Sequence, residues 1–216
     1  MIPTIQVWGK TYMANDDSNI YKTETINLIQ KFDPNQPRDE DGKWTDTGAS
    51  LRGFENRIKG QKHETAGIFD KDGNFIFEKD GNENSVSFTD NEQEQMAKTT
   101  FTHNHPQNKG FSKADIQFMI KNKINEMRAV TEYGVFKMSK KHSKGLLLSE
   151  FNIAYIISYE KAKVITNDWW NKNDNTKDWV VKKANEMIVS ETWEAFMETN
   201  FYKNNLDYQF IPNKYL

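Results

Sequence analysis

The chain contains no cysteine. Disulfides, thiolate nucleophiles, Cys-ligated zinc fingers and iron–sulfur clusters are therefore excluded. Any transition-metal site must be built from carboxylates and the four histidines, His63, His103, His105 and His142. No stretch approaches the roughly 20 apolar residues of a membrane span, so no membrane partner is expected. The opening residues, MIPTIQVWGKTYMAND, lack the charged start and apolar core of a signal peptide. A protein made in a cytoplasm, and used there or packaged from it, is expected. There is also no charge of one sign in excess: 29 basic residues face 31 acidic ones, for a formal net charge of -2. That balance gives no global electrostatic reason to bind nucleic acid, although a local basic patch is still compatible with it.

What is present suffices for one compact domain with extensions, since the chain has 216 residues. Residues 1–47 read as an N-terminal extension and connector. Ile2, Ile5, Val7 and Trp8 suggest a short strand, and residues 23–31 (TETINLIQK) a short helix. Residues 32–45 (FDPNQPRDEDGKWT) carry two prolines and a glycine among charges, which predicts an extended connector.

Residues 48–140 read as the core domain, and within it residues 60–138 alternate strand and helix patterns, as in an α/β (α+β) arrangement. ETAGIFD and FIFEK flank the turn Lys71-Asp-Gly-Asn74, which predicts a β-hairpin over 64–77. SVSF, at 85–88, reads as a further short strand, and Thr89 or Asp90 can cap a polar helix. TTFTH, at 99–103, is β-branched and aromatic, as strands are. From Ser112 a helix follows, with Ile116, Met119 and Ile120 on one face. MRAVTEY and VFKM then form a hairpin around Gly134. Residues 141–216 predict a helical cap or interaction region: an apolar stretch over 146–165, a polar break over 171–178 and a second helix over 179–200. Its tryptophans, Trp169, Trp170, Trp179 and Trp193, suit a core or a partner surface, including an oligomer contact.

The chemistry is concentrated in His103-Asn104-His105-Pro106 and, shortly after, Ser112-Lys113-Ala114-Asp115. On a strand, residues i and i+2 face the same side, so both imidazoles can reach one point. Pro106 ends a central strand there. Asp115, one turn into the next helix, can return a carboxylate to that point. Two histidines and one carboxylate with a position left open make a frequent catalytic zinc arrangement. A carboxylate outside the ligand set must then move protons; Glu64, opening a neighbouring strand, is the candidate, with Glu55 and Glu78 as alternatives. Ser112 and Asp115 also fit a helix capping box, and the two roles are compatible. His63 faces away from Glu64's side of its strand and His142 lies in the basic run SKKHSK, so both read as surface residues.

Glu64, His103-x-His105-Pro and Ser112-x-x-Asp115 together resemble the JAB/JAMM (MPN-like) metalloprotease motif. The likeness covers residues 60–138. It implies a deaminase-type α/β sandwich with a mixed sheet, Zn2+ on His103, His105 and Asp115, proton transfer by Glu64 and oxyanion stabilisation by Ser112. Six residues, Pro106 to Phe111, separate the second histidine from the serine where the motif has seven, and Gly110 is the expected place for the tighter turn. The connector FDPNQPRDEDGKWT resembles segments of tailed-phage head, portal and head-morphogenesis proteins. This implies a phage or prophage setting, with head or portal proteins as partners and a location in the host cytoplasm or the virion. Three functions follow as expectations. The first is a zinc metallopeptidase or isopeptidase acting on a protein or peptide. The second is a metal-dependent hydrolase of a nucleotide or nucleic acid, with Lys109, Lys113, Lys121 and Lys123 near the mouth. The third is a head-associated structural or adaptor protein with an inert site.

Overall fold

A computed structural model describes residues 50–213 and the backbone of two upstream strands, β1 (Thr4–Val7) and β2 (Lys10–Met13), which pair antiparallel. The first matches the strand expected around Ile5 and Val7. The helix expected at 23–31 and the connector at 32–45 lie outside the described residues.

The remaining elements run α1 (Leu51–Ile58), β3 (Thr65–Phe69), β4 (Phe75–Asp80), α2 (Asp90–Glu94), β5 (Thr100–Asn104), α3 (Lys113–Lys121), β6 (Glu126–Val130), β7 (Gly134–Lys140), α4 (Leu148–Asn171), α5 (Asp178–Met197), α6 (Asn200–Asn205) and β8 (Leu206–Pro212). Six strands form one sheet in the order β4-β3-β5-β6-β7-β8. All neighbours are antiparallel except β5 and β6, which are parallel. A parallel pair needs a crossover, and α3 supplies it. The chain is thus a mixed α/β protein of α+β type.

Two compact units can be distinguished. Residues 46–158 and 196–216 hold the six-stranded sheet, and residues 1–45 and 159–195 form the other unit. Within the latter, Trp169 meets Trp179 edge-on at 6.5 Å; Trp193 is buried, whereas Trp179 is exposed. Among the described residues no helix is long and apolar enough to cross a membrane.

Local chemistry explains most elements. The β3–β4 turn uses Gly73 at φ +86°, and Asp70 accepts from the Asp72 and Asn74 amides. Thr89 caps α2 and Ser112 caps α3, each through a reciprocal capping box. Helix α1 was not expected. Ser50 caps it, and Phe54 and Ile58 pack with Phe69, Val130 and Val135 on one face of the sheet. A β carbon at Gly67 would sit 2.6 Å from the Phe54 ring, so glycine is what lets α1 approach β3.

The opposite face carries Phe101, Phe118 and Phe88 in mutual ring contact, covered by α3 through Ile116, Met119 and Ile120. Segment 85–88, expected as a strand, is not one. It crosses the sheet face and lays Phe88 against Phe77, Phe101 and Phe118 rather than pairing along an edge. The C-terminal stretch also differs from the helices anticipated: it returns β8 to the sheet beside β7, from Lys140↔Leu206 to Gly134↔Pro212.

Candidate metal centre

The site is built where β5 ends. Ala66 of β3 pairs with His103, and the same antiparallel register carried two residues on sets Glu64 opposite His105. Opposed residues of an antiparallel pair share a face. Glu64, His103 and His105 therefore lie on the α3 side. The His105 amide extends the β6 ladder by one bond, to Val130 O at 2.8 Å, and Pro106 then ends it.

The side chains converge. His103 Nε2 and His105 Nε2 are 2.7 Å apart. Asp115 places Oδ1 3.4 Å from His103 Nε2 and Oδ2 3.7 Å from His105 Nε2. Among the described residues these three form the one group of His and acidic side chains arranged to hold a metal. His105 Nδ1 donates to the Lys109 carbonyl at 2.8 Å, which leaves the Nε2 lone pair pointing at the common centre. His103 is buried, and its Nδ1 has no hydrogen-bond partner, although the Arg128 backbone lies close enough to favour the charged ring. Asp115 Oδ2 accepts from the Ser112 amide at 2.6 Å, which fixes the carboxylate at the α3 N-terminus.

Charges are strongly coupled here. Burial pushes His105 down to about 4, aided by the His103 charge, so at neutral pH its ring is uncharged. Burial also opposes the charged form of His103, but Asp115 and Glu64 outweigh it and the net shift is upward. Burial would raise Asp115; the bond and charge of His103 overcome this and hold it below the usual carboxylate range. Glu64 is raised, first by burial and then by Asp115, with His103 opposing.

These donors fit zinc. Tetrahedral zinc with bonds of about 2.0–2.1 Å sets ligand atoms about 3.3 Å apart. The two His–Asp separations, 3.4 and 3.7 Å, are near that value, and the 2.7 Å imidazole pair would open by about 0.6 Å. Two neutral or mixed imidazoles and a carboxylate are also borderline ligands of the kind zinc takes.

The structure brings His103, His105, Asp115 and Glu64 together. Ser112 is at the helix cap: its Oγ accepts from the Asp115 amide at 3.2 Å, and the residue is exposed. The alternatives to Glu64 lie on the far face. Glu55 is buried against Thr102 and Arg128, and Glu78 pairs opposite Gly67 and binds Arg57. The six-residue loop is absorbed by Asn108 at φ +56°, not by Gly110, and an asparagine tolerates that left-handed conformation. Lys113 lies over the Tyr155 ring at 4.9 Å, while Lys121 and Lys123 sit at the far end of α3. His63 is exposed, 3.8 Å from Asp80, and His142 is exposed. The Lys109 carbonyl that orients His105 was not anticipated, because a backbone contact leaves no trace in residue type. No family model, curated protein or solved structure matches the chain.

Proposed function

We propose that the chain is a zinc-dependent hydrolase of the JAB/JAMM type, a metallopeptidase or isopeptidase acting on a protein or peptide substrate. The observation that carries the reading is the convergence of His103 Nε2, His105 Nε2 and the Asp115 carboxylate, with Glu64 on the same face one strand away. The mixed sheet with helices on both faces is compatible with the deaminase-type sandwich of that family.

Zinc held by His103, His105 and Asp115 would supply Lewis acidity and bring a bound water towards a neutral pKa. Glu64 would take a proton at its carboxylate oxygen and return it to the departing nitrogen. Burial raises its proton affinity, which suits a group that takes up and gives back a proton. The Ser112 hydroxyl, whose oxygen is turned to the Asp115 amide, would donate its hydrogen to the carbonyl oxygen as negative charge grows there. Lys109 O would hold the His105 ring in one tautomer throughout.

The connector resemblance adds a setting: a phage or prophage product, in the host cytoplasm or the virion, with head or portal proteins as partners. The test is metal content by plasma mass spectrometry on untagged protein, together with cleavage of peptide and lysine-linked isopeptide probes. The expected result is near-stoichiometric zinc, no zinc in His103→Ala/His105→Ala, and cleavage lost in Glu64→Gln. Zinc absent even after addition would sink the reading. Hydrolysis of phosphodiesters but not peptides would keep the metal centre and replace the substrate class.

A further inference from the structure

His103-Asn104-His105 divides between the two sides of the sheet. The outer residues face the metal centre, so the middle one faces away. Asn104 is 1 % exposed, and its amide is fully engaged. Oδ1 accepts from the Thr65 amide at 2.7 Å, and Nδ2 donates to the His63 carbonyl at 2.8 Å and, more weakly, to the Gln61 carbonyl at 3.4 Å. Residues 63 and 65 are the two neighbours of Glu64. Glu64 is therefore gripped on one side by a side chain of the histidine strand. On its other side the Glu64 amide donates to Asn82 O at 2.7 Å, and its carbonyl accepts from the Gly81 amide at 2.8 Å.

This grip replaces ordinary sheet pairing. Backbone pairing of β3 with β5 stops at Ala66↔His103, before Glu64 is reached. Beyond that point the Asn104 amide carries the connection. We propose that Asn104 is a positioning residue that fixes the Glu64 backbone, and with it the Glu64 carboxylate, relative to His103 and His105. One residue type thereby links the ligand strand to the proton-transfer group: its two neighbours ligate, and it holds the third participant in place. The proposal rests on the hydrolase reading for its catalytic meaning and on the hydrogen bonds alone for its structural meaning.

The test is hydrogen–deuterium exchange by mass spectrometry on the full chain loaded with zinc, comparing wild type, Asn104→Ala and Asn104→Asp. In Asn104→Ala the amides of residues 64–66 are expected to exchange about tenfold faster, the size of one lost buried hydrogen bond, while α3 keeps its protection and zinc content is unchanged. Asn104→Asp keeps the acceptor for Thr65 and loses the donor to His63, so an intermediate change is expected; it also serves if the alanine variant does not fold. With a lysine-linked isopeptide probe, kcat is expected to fall about 10²-fold at constant KM, the scale of a small misplacement of a reacting group. In the Glu64→Asp background, which keeps a carboxylate but misplaces it, Asn104→Ala should cause a smaller further loss than in wild type, because the effect passes through Glu64. Unchanged exchange at 64–66, loss of zinc in both variants, or equal losses of kcat in the wild-type and Glu64→Asp backgrounds would each overturn the assignment. A wild type that binds zinc but hydrolyses nothing would count against the hydrolase reading, and the exchange experiment would still decide the grip.

Discussion

Two buried polar clusters lie back to back on β5, one residue apart. Thr102 faces α1, where its Oγ1 donates to Glu55 at 2.9 Å. Arg128 donates to both Glu55 oxygens, at 2.6 and 3.1 Å, and to Glu126 at 3.1 Å. Every charge there has a partner of opposite sign and good geometry. His103 faces the other way, into a cluster of two imidazoles and two carboxylates. Its Nε2 lies 2.7 Å from that of His105, and the Asp115 oxygens are 3.4 and 3.7 Å from the two ring nitrogens, so the donor atoms converge on one point. The α1 side is polar chemistry that completes itself. The α3 side is polar chemistry whose three donor side chains could hold a cation. The arrangement of donors thus separates a cluster closed by its own charges from one that could hold a metal ion, where burial and residue type do not.

The largest expected effect breaks the self-sufficient side. Arg128→Ala leaves Glu55 as an uncompensated buried charge and should cost about 3–5 kcal/mol, read by urea denaturation. A loss under 1 kcal/mol would show that water enters the cluster and that the contrast is false. Next comes the incomplete side. Zinc at a hundredfold excess over its dissociation constant should stabilise the wild type by about 2.7 kcal/mol and leave His103→Ala/His105→Ala unmoved, as seen in thermal melts with and without the metal. Equal stabilisation of both proteins would place the zinc elsewhere. Gly67→Ala drives a β carbon into the Phe54 ring. It should cost about 1–3 kcal/mol and loosen α1 while zinc content holds. Ser112→Ala removes a cap worth about 1 kcal/mol, yet should lower turnover by about 10²–10³-fold. A turnover loss no larger than the stability loss explains would leave Ser112 as a cap alone. Smallest of all, His63→Ala should alter stability by about 0.5 kcal/mol or less and leave zinc binding intact, since His63 faces solvent and Asp80.

The sequence makes the local parts of this molecule readable. The Asp-Gly turn announces β3–β4, the caps Thr89 and Ser112 announce α2 and α3, and Gly134 announces β6–β7, because each depends on residues a few positions apart. The His-x-His pair and Ser-x-x-Asp are local in the same sense, so the convergence of His103, His105 and Asp115 is readable too. What was hidden depends on distant partners. Helix α1 presents Glu55 to the sheet, and that glutamate reads as an alternative to Glu64 until its partner Arg128, 73 positions later, is placed beside it. SVSF has the composition of a strand, but the aromatic cluster on the sheet face claims Phe88. Glu55, Glu64 and Glu78 cannot be told apart by spacing. The β3–β5 and β3–β4 registers place Glu64 with the histidines and Glu78 behind the sheet, and the bonds to Thr102 and Arg128 place Glu55 there too.

The pairing of β8 with β7 has a further consequence. Lys140 lies opposite Leu206, and the Lys141 amide donates to Asn205 O at 2.9 Å, so the chain returns to the spot it left. Everything between residues 141 and 205 is, for the sheet, the loop of a single hairpin. Doubling such a loop adds only about 0.6 kcal/mol of closure entropy, and its ends stay adjacent whatever hangs between them. The helical excursion is therefore an insertion in the topological sense. Its ends, residues 141–158 and 196–205, belong to the sheet's own compact unit, where Asn152 accepts from Gln117 of α3, so residues 159–195 are the part whose length is free to vary at that small entropic cost.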